Sequence, residues 1–333
     1  MYKRILFVVA IILLFSVGCG KKENPKPVDK PSSEAPVEKP SETRKLKVVD
    51  ETSKVRPYAI MINNINVARP VQAGLQDAYL VYEIIVEGGI TRFLALFKDV
   101  NTPKIGTIRS ARHYYLDYAL ENDAIYVHHG QSPQAASDIK NLGVTVLPGN
   151  WIFRENPLKL AVEHTAYSSI AKLDKARNNV KRKELNKDLL LNYSVEEHTY
   201  EGEDAIDVTL KYSSHVTVNY KYDTENKVYL RSTNGKPHKD LESKKQYTVK
   251  NIIAYSVDNY TMGANNKGRQ DLKNIGKGKG IYISNGVKIP ITWEKKSRSD
   301  QTVYKTEDGK KLIVNDGNTF IQIYPSSGKL TIK

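Results

Sequence analysis

Three ionisable residues, Glu83, Glu87 and Arg92, interrupt an apolar stretch over 79–97 whose composition is typical of buried strands. If 88–89 form the whole turn of a β-hairpin, Arg92 lies diagonally between the two glutamates on one face. The glutamates are then about 13 Å apart at roughly 3.3 Å per residue, too far for the carboxylate pair of a glycosidase, which needs about 5 to 10 Å. Two alternatives stay open: a Glu-Arg-Glu network that stabilises a core, or the floor of a ligand site.

Further along, Arg109, Ser110 and Arg112 predict an anion site at the start of a helix over 111–122. Ser110 is a favourable N-cap, and cations beside the positive end of the helix dipole are unfavourable unless an anion is bound there. The hydroxyl, free backbone N–H groups and guanidinium groups would then converge on that anion. We therefore expect Arg92, Arg109, Ser110 and Arg112 to bind it. The anion is either an external ligand or a protein carboxylate: Glu83, Glu87 or Asp77.

Sequence motifs of hydrolases and nucleotide- or calcium-binding proteins are absent: there is no GxSxG, HExxH, P-loop or EF-hand loop. A hydrolase of wall or phosphate polymers would have to use Glu83 or Glu87 with His128, and these distant residues would have to converge. His128 and His129 are neighbours on a predicted strand, so they point to opposite faces and do not easily share a metal ion. We expect no metal site and no cofactor, and a structural role for His128 is the alternative.

The elements that position these residues predict a mixed α+β fold in two domains. Strands and helices alternate over 53–200 around the central hairpin, with one helix opened by Ser132-Pro133 and another, amphipathic, over 168–191. Over 201–333 the apolar residues recur with period two, and Asn-Gly and Asp-Gly pairs mark hairpin turns. We expect an N-terminal α/β-type domain followed by a mainly antiparallel β sandwich or barrel. The glycine-rich segment 276–280 is expected to be a loop.

The first 19 residues have the form of a secretory signal peptide. Lys3 and Arg4 precede an apolar run that is too short for a comfortable membrane span, and small residues lead to Cys19, the sole cysteine of the sequence. This ending resembles the lipobox of bacterial lipoproteins, in which the cysteine thiol receives diacylglycerol after cleavage. Residues 20–52, rich in Pro, Lys, Glu and Ser, are predicted to be a disordered tether. We expect a lipid anchor at the extracytoplasmic face of the cell membrane.

The charge balance is strongly basic, with a formal net charge of +14 at pH 7. A basic surface outside the membrane favours anionic lipid head groups or phosphate-rich wall polymers. Nucleic acid would fit the charge but not the compartment, so we expect no nucleic-acid partner. The alternative is a lysine-rich surface that is simply solvated.

Several motifs together resemble the YerB family of lipoproteins from Gram-positive bacteria. They are PYAIMINN at 57–64, VYE at 81–83, VEGGITR at 86–92, IGTIRSAR at 105–112 and ITW at 291–293. The resemblance implies a membrane-tethered extracytoplasmic protein of two domains and implies no catalytic residues. We therefore expect a binding or adaptor protein of the cell envelope that recognises an anionic or wall-polymer ligand or a partner protein, with a hydrolase as the alternative.

Overall fold

A computed structural model describes residues 45–333 of the chain. The predicted signal peptide, Cys19 and most of the predicted tether lie outside the described residues. Within the described part the helices are α1 (Tyr115–Glu121), α2 (Pro133–Asn141) and α3 (Ile170–Arg177). The strands in chain order are β1 (Tyr58–Asn63), β2 (Leu80–Ile85), β3 (Thr91–Phe97), β4 (Ile105–Gly106), β5 (Ile125–Val127), β6 (Phe153–Arg154), β7 (Ala166–Ser168), β8 (Asn192–Ser194), β9 (Glu203–Asp204), β10 (Asp207–Lys211), β11 (Thr217–Asp223), β12 (Val228–Thr233), β13 (Lys236–Pro237), β14 (Thr248–Val249), β15 (Asn251–Val257), β16 (Asn259–Thr261), β17 (Gln270–Leu272), β18 (Gly276–Ser284), β19 (Val287–Lys295), β20 (Val303–Thr306), β21 (Ile313–Asn315), β22 (Thr319–Pro325) and β23 (Lys329–Ile332).

A ten-stranded mixed sheet is the largest element of this part of the chain. Its order is β20-β19-β18-β15-β22-β2-β3-β1-β5, with β9 beside β19. Strand β22 is parallel to both of its neighbours, β15 and β2, and β1 is parallel to β5. The sheet therefore joins strands from both sides of the predicted boundary near residue 200.

A smaller antiparallel sheet, of order β13-β12-β11-β10-β23 with β14 beside β12, packs against one face of the large sheet. Val81, Phe93 and Phe320 of the large sheet share a core with Val208 and Tyr220 of the small one. On the opposite face of the large sheet, residues such as Tyr82 and Leu94 pack against α1. The fold is mainly β, and it agrees broadly with the α+β class predicted from the sequence.

The hairpin between β2 and β3 differs from the prediction by one residue. Its turn is three residues long, 87–89, because the Val86 N–H donates to the Ile90 carbonyl at 2.8 Å. Gly88 and Gly89 do supply positive φ angles, of 70° and 67°. The longer turn pairs Glu83 with Phe93 instead of Leu94. Because side chains alternate between faces, Arg92 lies on the face opposite to Glu83, and the predicted arrangement of Arg92 between two glutamates on one face is wrong.

Helix predictions are confirmed in one case and corrected in two. Helix α2 begins as expected, with Ser132 as a side-chain N-cap that accepts from the Ala135 N–H at 3.2 Å. Ser110 is not an N-cap, since α1 begins only at Tyr115. The helix expected over 168–191 ends at Arg177 as α3. Beyond it the chain turns back, and the Arg56 N–H bonds to the Lys183 carbonyl.

Two further boundaries differ from the sequence expectation. Segment 276–280 is the first half of β18 and not a loop. The folded region begins before residue 53, because Val49 is buried and the Val48 N–H donates to the Asp316 carboxylate at 2.9 Å. The predicted tether is therefore too long by the residues over 45–52.

Candidate functional site

Glu87, in the turn after β2, is clamped by two guanidinium groups. Arg92 Nη2 donates to Glu87 Oε1 at 3.0 Å, and Arg112 Nε donates to Oε2 at 2.9 Å. Arg112 Nη2 also donates to Oε1, so this pairing is bidentate. Burial alone would raise the pKa of Glu87, but the hydrogen bond from Arg112 and the charges of Arg92 and Arg112 lower it to about 2. Of the anions that the sequence left open for these arginines, Glu87 is the one that contacts them.

Ser110 takes part in this cluster through its backbone. Its carbonyl accepts from Arg92 Nη1 at 2.6 Å, while its hydroxyl donates to the His129 carbonyl at 3.1 Å. Arg92 and Arg112 are almost fully buried, at 3% and 7% exposure. The hydrogen bonds of these two arginines therefore connect the hairpin turn to the segment before α1, which contains Ser110.

Arg109 differs from Arg92 and Arg112, because no carboxylate of the described residues forms an ion pair with it. Within residues 45–333 its guanidinium group makes one hydrogen bond, from Nη1 to the Glu163 carbonyl at 3.3 Å. Burial lowers its pKa, the nearby Glu163 raises it, and Arg112 lowers it further. Arg109 is thus a half-buried cation with incomplete charge compensation.

Arg154 on β6 is a second arginine without a carboxylate partner in the described part of the chain. Its Nη1 donates to the Val162 carbonyl at 2.8 Å, and its Nη2 lies 3.0 Å from His129 Nε2. Burial and then the charges of Arg154 and Arg109 lower the pKa of His129. The charges of Arg154 and Arg109 therefore favour the neutral form of the His129 imidazole.

His164 completes a group that we call the arginine-histidine patch: Arg109, Arg154, His129 and His164. Its Nδ1 accepts from Asn63 Nδ2 at 2.8 Å. Burial and the charge of Arg109 lower the pKa of His164, while Glu163 opposes them. Backbone hydrogen bonds fix the patch, since the Arg109 N–H donates to Met61 and the His129 N–H donates to Arg109. The two arginines of the patch present N–H donors that can bind an anion.

Glu83 belongs to a different cluster, between the two sheets. Its carboxylate accepts from Arg231 Nη2 at 3.0 Å, from the Thr91 hydroxyl at 2.8 Å and from Asn64 Nδ2 at 3.0 Å. Neither Glu83 nor Arg231 has any exposed surface. This pair is a buried internal contact between the two sheets, and solvent does not reach it.

The arrangement required for the hydrolase alternative is not formed. Glu83 is enclosed, Glu87 is held by two arginines, and His128 Nδ1 bonds to the Gly130 carbonyl at 2.8 Å. No hydrogen bond among the described residues joins His128 to either glutamate. No group of three His, Cys, Asp or Glu residues in 45–333 is placed to hold a metal ion.

Sequence reasoning missed Arg231, Arg154 and His164. Arg231 carries a recognisable signal, because Tyr229, Arg231 and Thr233 occupy the inward positions of an alternating strand, and a charge at such a position predicts a buried partner. Arg154 lies on the two-residue strand β6 and His164 on a three-residue 3-10 helix, and such short elements show no periodicity from which the direction of a side chain can be read. Only the tertiary fold brings them beside Arg109.

The described part of the chain is thus a mainly β protein with a guanidinium-carboxylate pair buried between two sheets. Two of its arginines, Arg109 and Arg154, have no carboxylate partner within residues 45–333 and reach the surface. The chain matches two family models. They are described as "Protein of unknown function (DUF3048) N-terminal domain", over residues 43–183, and "Protein of unknown function (DUF3048) C-terminal domain", over residues 208–321.

A relative from Bacillus subtilis (strain 168), named "Putative lipoprotein YerB", is 30% identical over 280 residues, which are 81% of this chain and 81% of that protein. The crystal structure of the YerB protein from Bacillus subtilis superposes with a TM-score of 0.73 at 28% identity, covering 86% of this chain and 99% of that one. The chain belongs to the YerB family, as its sequence motifs predict. No helix within residues 45–333 has the length and apolar character needed to span a bilayer.

Proposed function

We propose that this protein is a lipid-anchored, extracytoplasmic binding or adaptor protein of the cell envelope, and that its arginine-histidine patch binds an anionic polymer. The observation that carries the proposal is the pair Arg109 and Arg154. Both lack a carboxylate partner among the described residues, and both lie beside His129, whose pKa their charges lower. Neighbouring cations repel one another, and a bound anion would relieve that repulsion.

An open surface suits a polymer better than a small molecule. Arg154 is exposed and Arg109 is half-buried, so successive anionic groups of a chain could contact both without entering a cavity. Removal of a signal peptide that contains Lys3 and Arg4 would leave 49 basic and 37 acidic residues, a formal net charge of +12, which would add a long-range attraction for a wall polymer rich in phosphate. Such binding weakens with ionic strength, because surface charges are screened over about 8 Å in physiological salt.

The proposed anchor is Cys19, and the name of the Bacillus subtilis relative supports it. A lipid at this cysteine and a tether over 20–44 would keep the folded part near the membrane and the wall. A Cys19→Ser variant should leave the membrane fraction when cells are fractionated. Retention of that variant in the membrane would argue against the anchor.

The proposed polymer binding is tested by titrating the purified protein with a teichoic-type polyphosphate at low and high salt. Arg109→Ala/Arg154→Ala should weaken binding about tenfold or more, since each charge-assisted hydrogen bond contributes about 1.5–3 kcal/mol. A matched control is Lys277→Ala/Lys279→Ala, which removes the same charge from exposed positions of β18.

Equal losses in the patch variant and in the control would show that overall charge, and not the patch, determines binding. No binding to the wild type would contradict the polymer ligand and would favour an adaptor that acts through a partner protein.

A further inference from the structure

A cavity of about 440 Å³ lies outside the arginine-histidine patch. Asn66 and Arg69, which follow β1, line one side, and Lys236, Lys239 and Lys244 line the other. This volume falls in the range of about 300–1,000 Å³ that is typical of small-molecule sites. The cavity thus brings four cationic side chains from distant parts of the sequence around one space.

Arg69 is the main feature of this cavity. Its side chain belongs to a residue with only 8% exposure, yet no carboxylate in residues 45–333 forms an ion pair with it. Its Nε donates to the Asn64 carbonyl at 3.2 Å and its Nη1 to Asn66 Oδ1 at 3.3 Å, both long contacts. Within the described residues Nη2 makes no hydrogen bond. Burying a guanidinium group without a counter-charge costs free energy. A bound anion would therefore stabilise Arg69 in its present environment.

The charges around Arg69 do not compensate its positive charge. Burial lowers the pKa of Arg69 to about 10, and the adjacent Arg231 lowers it while Glu83 opposes the effect. Glu83 is already bonded to Arg231, so it does not neutralise a second guanidinium. The local surplus of positive charge therefore remains in the folded protein.

Asp240 is the acidic residue of the cavity lining, but its carboxylate oxygens bond to groups other than Arg69. Oδ2 accepts from the Gly74 N–H at 2.7 Å and from the Tyr247 hydroxyl at 3.1 Å. Oδ1 accepts from the N–H groups of Glu242 and Ser243, each at 2.9 Å. These bonds shape the loop over 238–247 that presents Lys244, and they leave the carboxylate satisfied without Arg69.

The floor of the cavity is rigid. His238 Nδ1 accepts from Arg231 Nε at 3.1 Å, and its Nε2 bonds to Gln72 Oε1, so both ring nitrogens are engaged. Burial, followed by the charges of Arg231 and Arg69, lowers the pKa of His238 well below its ordinary value. The imidazole is therefore neutral near pH 7. The affinity of this cavity for an anion should not depend on protonation of His238 near neutral pH.

We infer that this cavity binds a phosphate monoester group, with Arg69 as its principal ligand and Lys236, Lys239 and Lys244 as its cationic rim. Two negative charges on one compact group match a buried arginine and three lysines better than a single carboxylate does. The inference uses none of the residues of the arginine-histidine patch and does not rest on the proposed function.

The test is calorimetric titration of the full chain, purified in detergent, with inorganic phosphate, glycerol 3-phosphate, acetate and glycerol. The two phosphate probes should bind saturably, acetate more weakly, and glycerol not at all. Arg69→Gln should weaken phosphate binding about tenfold or more, because a charge-assisted hydrogen bond is lost. Arg69→Lys should retain an intermediate affinity, because it keeps the charge without the fork geometry.

A second variant keeps the test valid if Arg69→Gln does not fold. Lys239→Gln/Lys244→Gln changes exposed side chains with no ion pair in the described residues, so it should fold and still bind phosphate less tightly. Lys277→Ala/Lys279→Ala, which removes two charges from exposed positions of β18 that do not line the cavity, should bind the small phosphates like the wild type and so separates the cavity from an effect of overall charge.

Three results would overturn the inference. The first is the absence of phosphate binding to the folded wild type. The second is wild-type affinity in both the Arg69 and the lysine variants. The third is a loss of phosphate binding in Lys277→Ala/Lys279→Ala equal to that in the Arg69 variants.

Discussion

Arg231 of β12 donates to Glu83 of β2 at 3.0 Å, and neither side chain has any exposed surface. The pair links the small sheet to the large one. Arg231 Nη1 also donates to the Tyr220 hydroxyl and Nε donates to His238, so each of its three guanidinium nitrogens has a partner within the core.

Removing one partner of this pair should destabilise the protein strongly. Glu83→Gln leaves an uncompensated buried guanidinium, and we expect a loss of about 3–5 kcal/mol in the free energy of unfolding. Urea denaturation measures this loss, and Lys288→Ala, which breaks the exposed pair with Glu203, is a control that should change stability far less. A loss no larger than that of the control would show that the pair is not an important inter-sheet contact.

The Glu87 carboxylate should make stability depend on acid pH. Its pKa in the folded protein is about 2, below the ordinary value of 4.5, so its ionised form stabilises the fold above pH 4.5. That stabilisation should disappear as the pH falls from 4.5 towards 2.

Glu87→Gln should therefore lower the free energy of unfolding by about 1–3 kcal/mol at pH 7. It should also flatten the dependence of stability on pH below 4.5. Urea titrations of wild type and variant at several pH values test both points, and parallel pH profiles would contradict the assignment.

Substitution of Arg109 and of Arg112, which are close in sequence, should change thermal stability by different amounts. Arg112→Ala removes the bidentate partner of the partly buried Glu87, so its melting temperature should fall clearly. Arg109→Ala breaks only a 3.3 Å bond to a carbonyl, so its melting temperature should stay near that of the wild type. Thermal denaturation of the two variants tests this, and equal falls would place Arg109 among the structural residues.

The turn glycines should differ in their tolerance of a side chain. Gly88 has φ of +70°, and a Cβ there would meet nothing within 4 Å, so Gly88→Ala should cost about 1–2 kcal/mol of backbone strain alone. Gly89 has a similar φ, but its Cβ would also lie 3.2 Å from His215 and 3.3 Å from the Ser213 hydroxyl. Gly89→Ala should therefore cost more, as chemical denaturation can measure; the reverse order would contradict this account of the turn.

The hairpin shows how far the sequence predicts this fold. The Gly-Gly pair between apolar runs identifies the two strands and the positive φ angles, but it does not distinguish a two-residue from a three-residue turn. That one residue decides which face Arg92 occupies, and therefore whether Glu83 lies beside it together with Glu87, as predicted, or on the opposite face, as observed.

The partners of the other charged residues could not be predicted from the sequence, for a different reason. Glu83 and Arg231 are 148 positions apart, so no local pattern connects them. Helix α2 was predictable because Ser132 and Pro133 act locally on the first turn. The helix expected over 168–191 was predicted too long. Its apolar spacing continues past Asn178, but the tertiary fold ends α3 there.

Strand β22 has a consequence for the order of folding. It lies between β15 and β2, and it follows every other strand of the ten-stranded sheet along the chain. The hairpin β2-β3 therefore exposes an open edge at β2 until residues 319–325 have been inserted. Such distant pairing is slow, because a long loop must close before the contact forms. Until β22 inserts, β2 and β15 each present an unpaired strand edge, and both edges are sites at which partly folded chains aggregate.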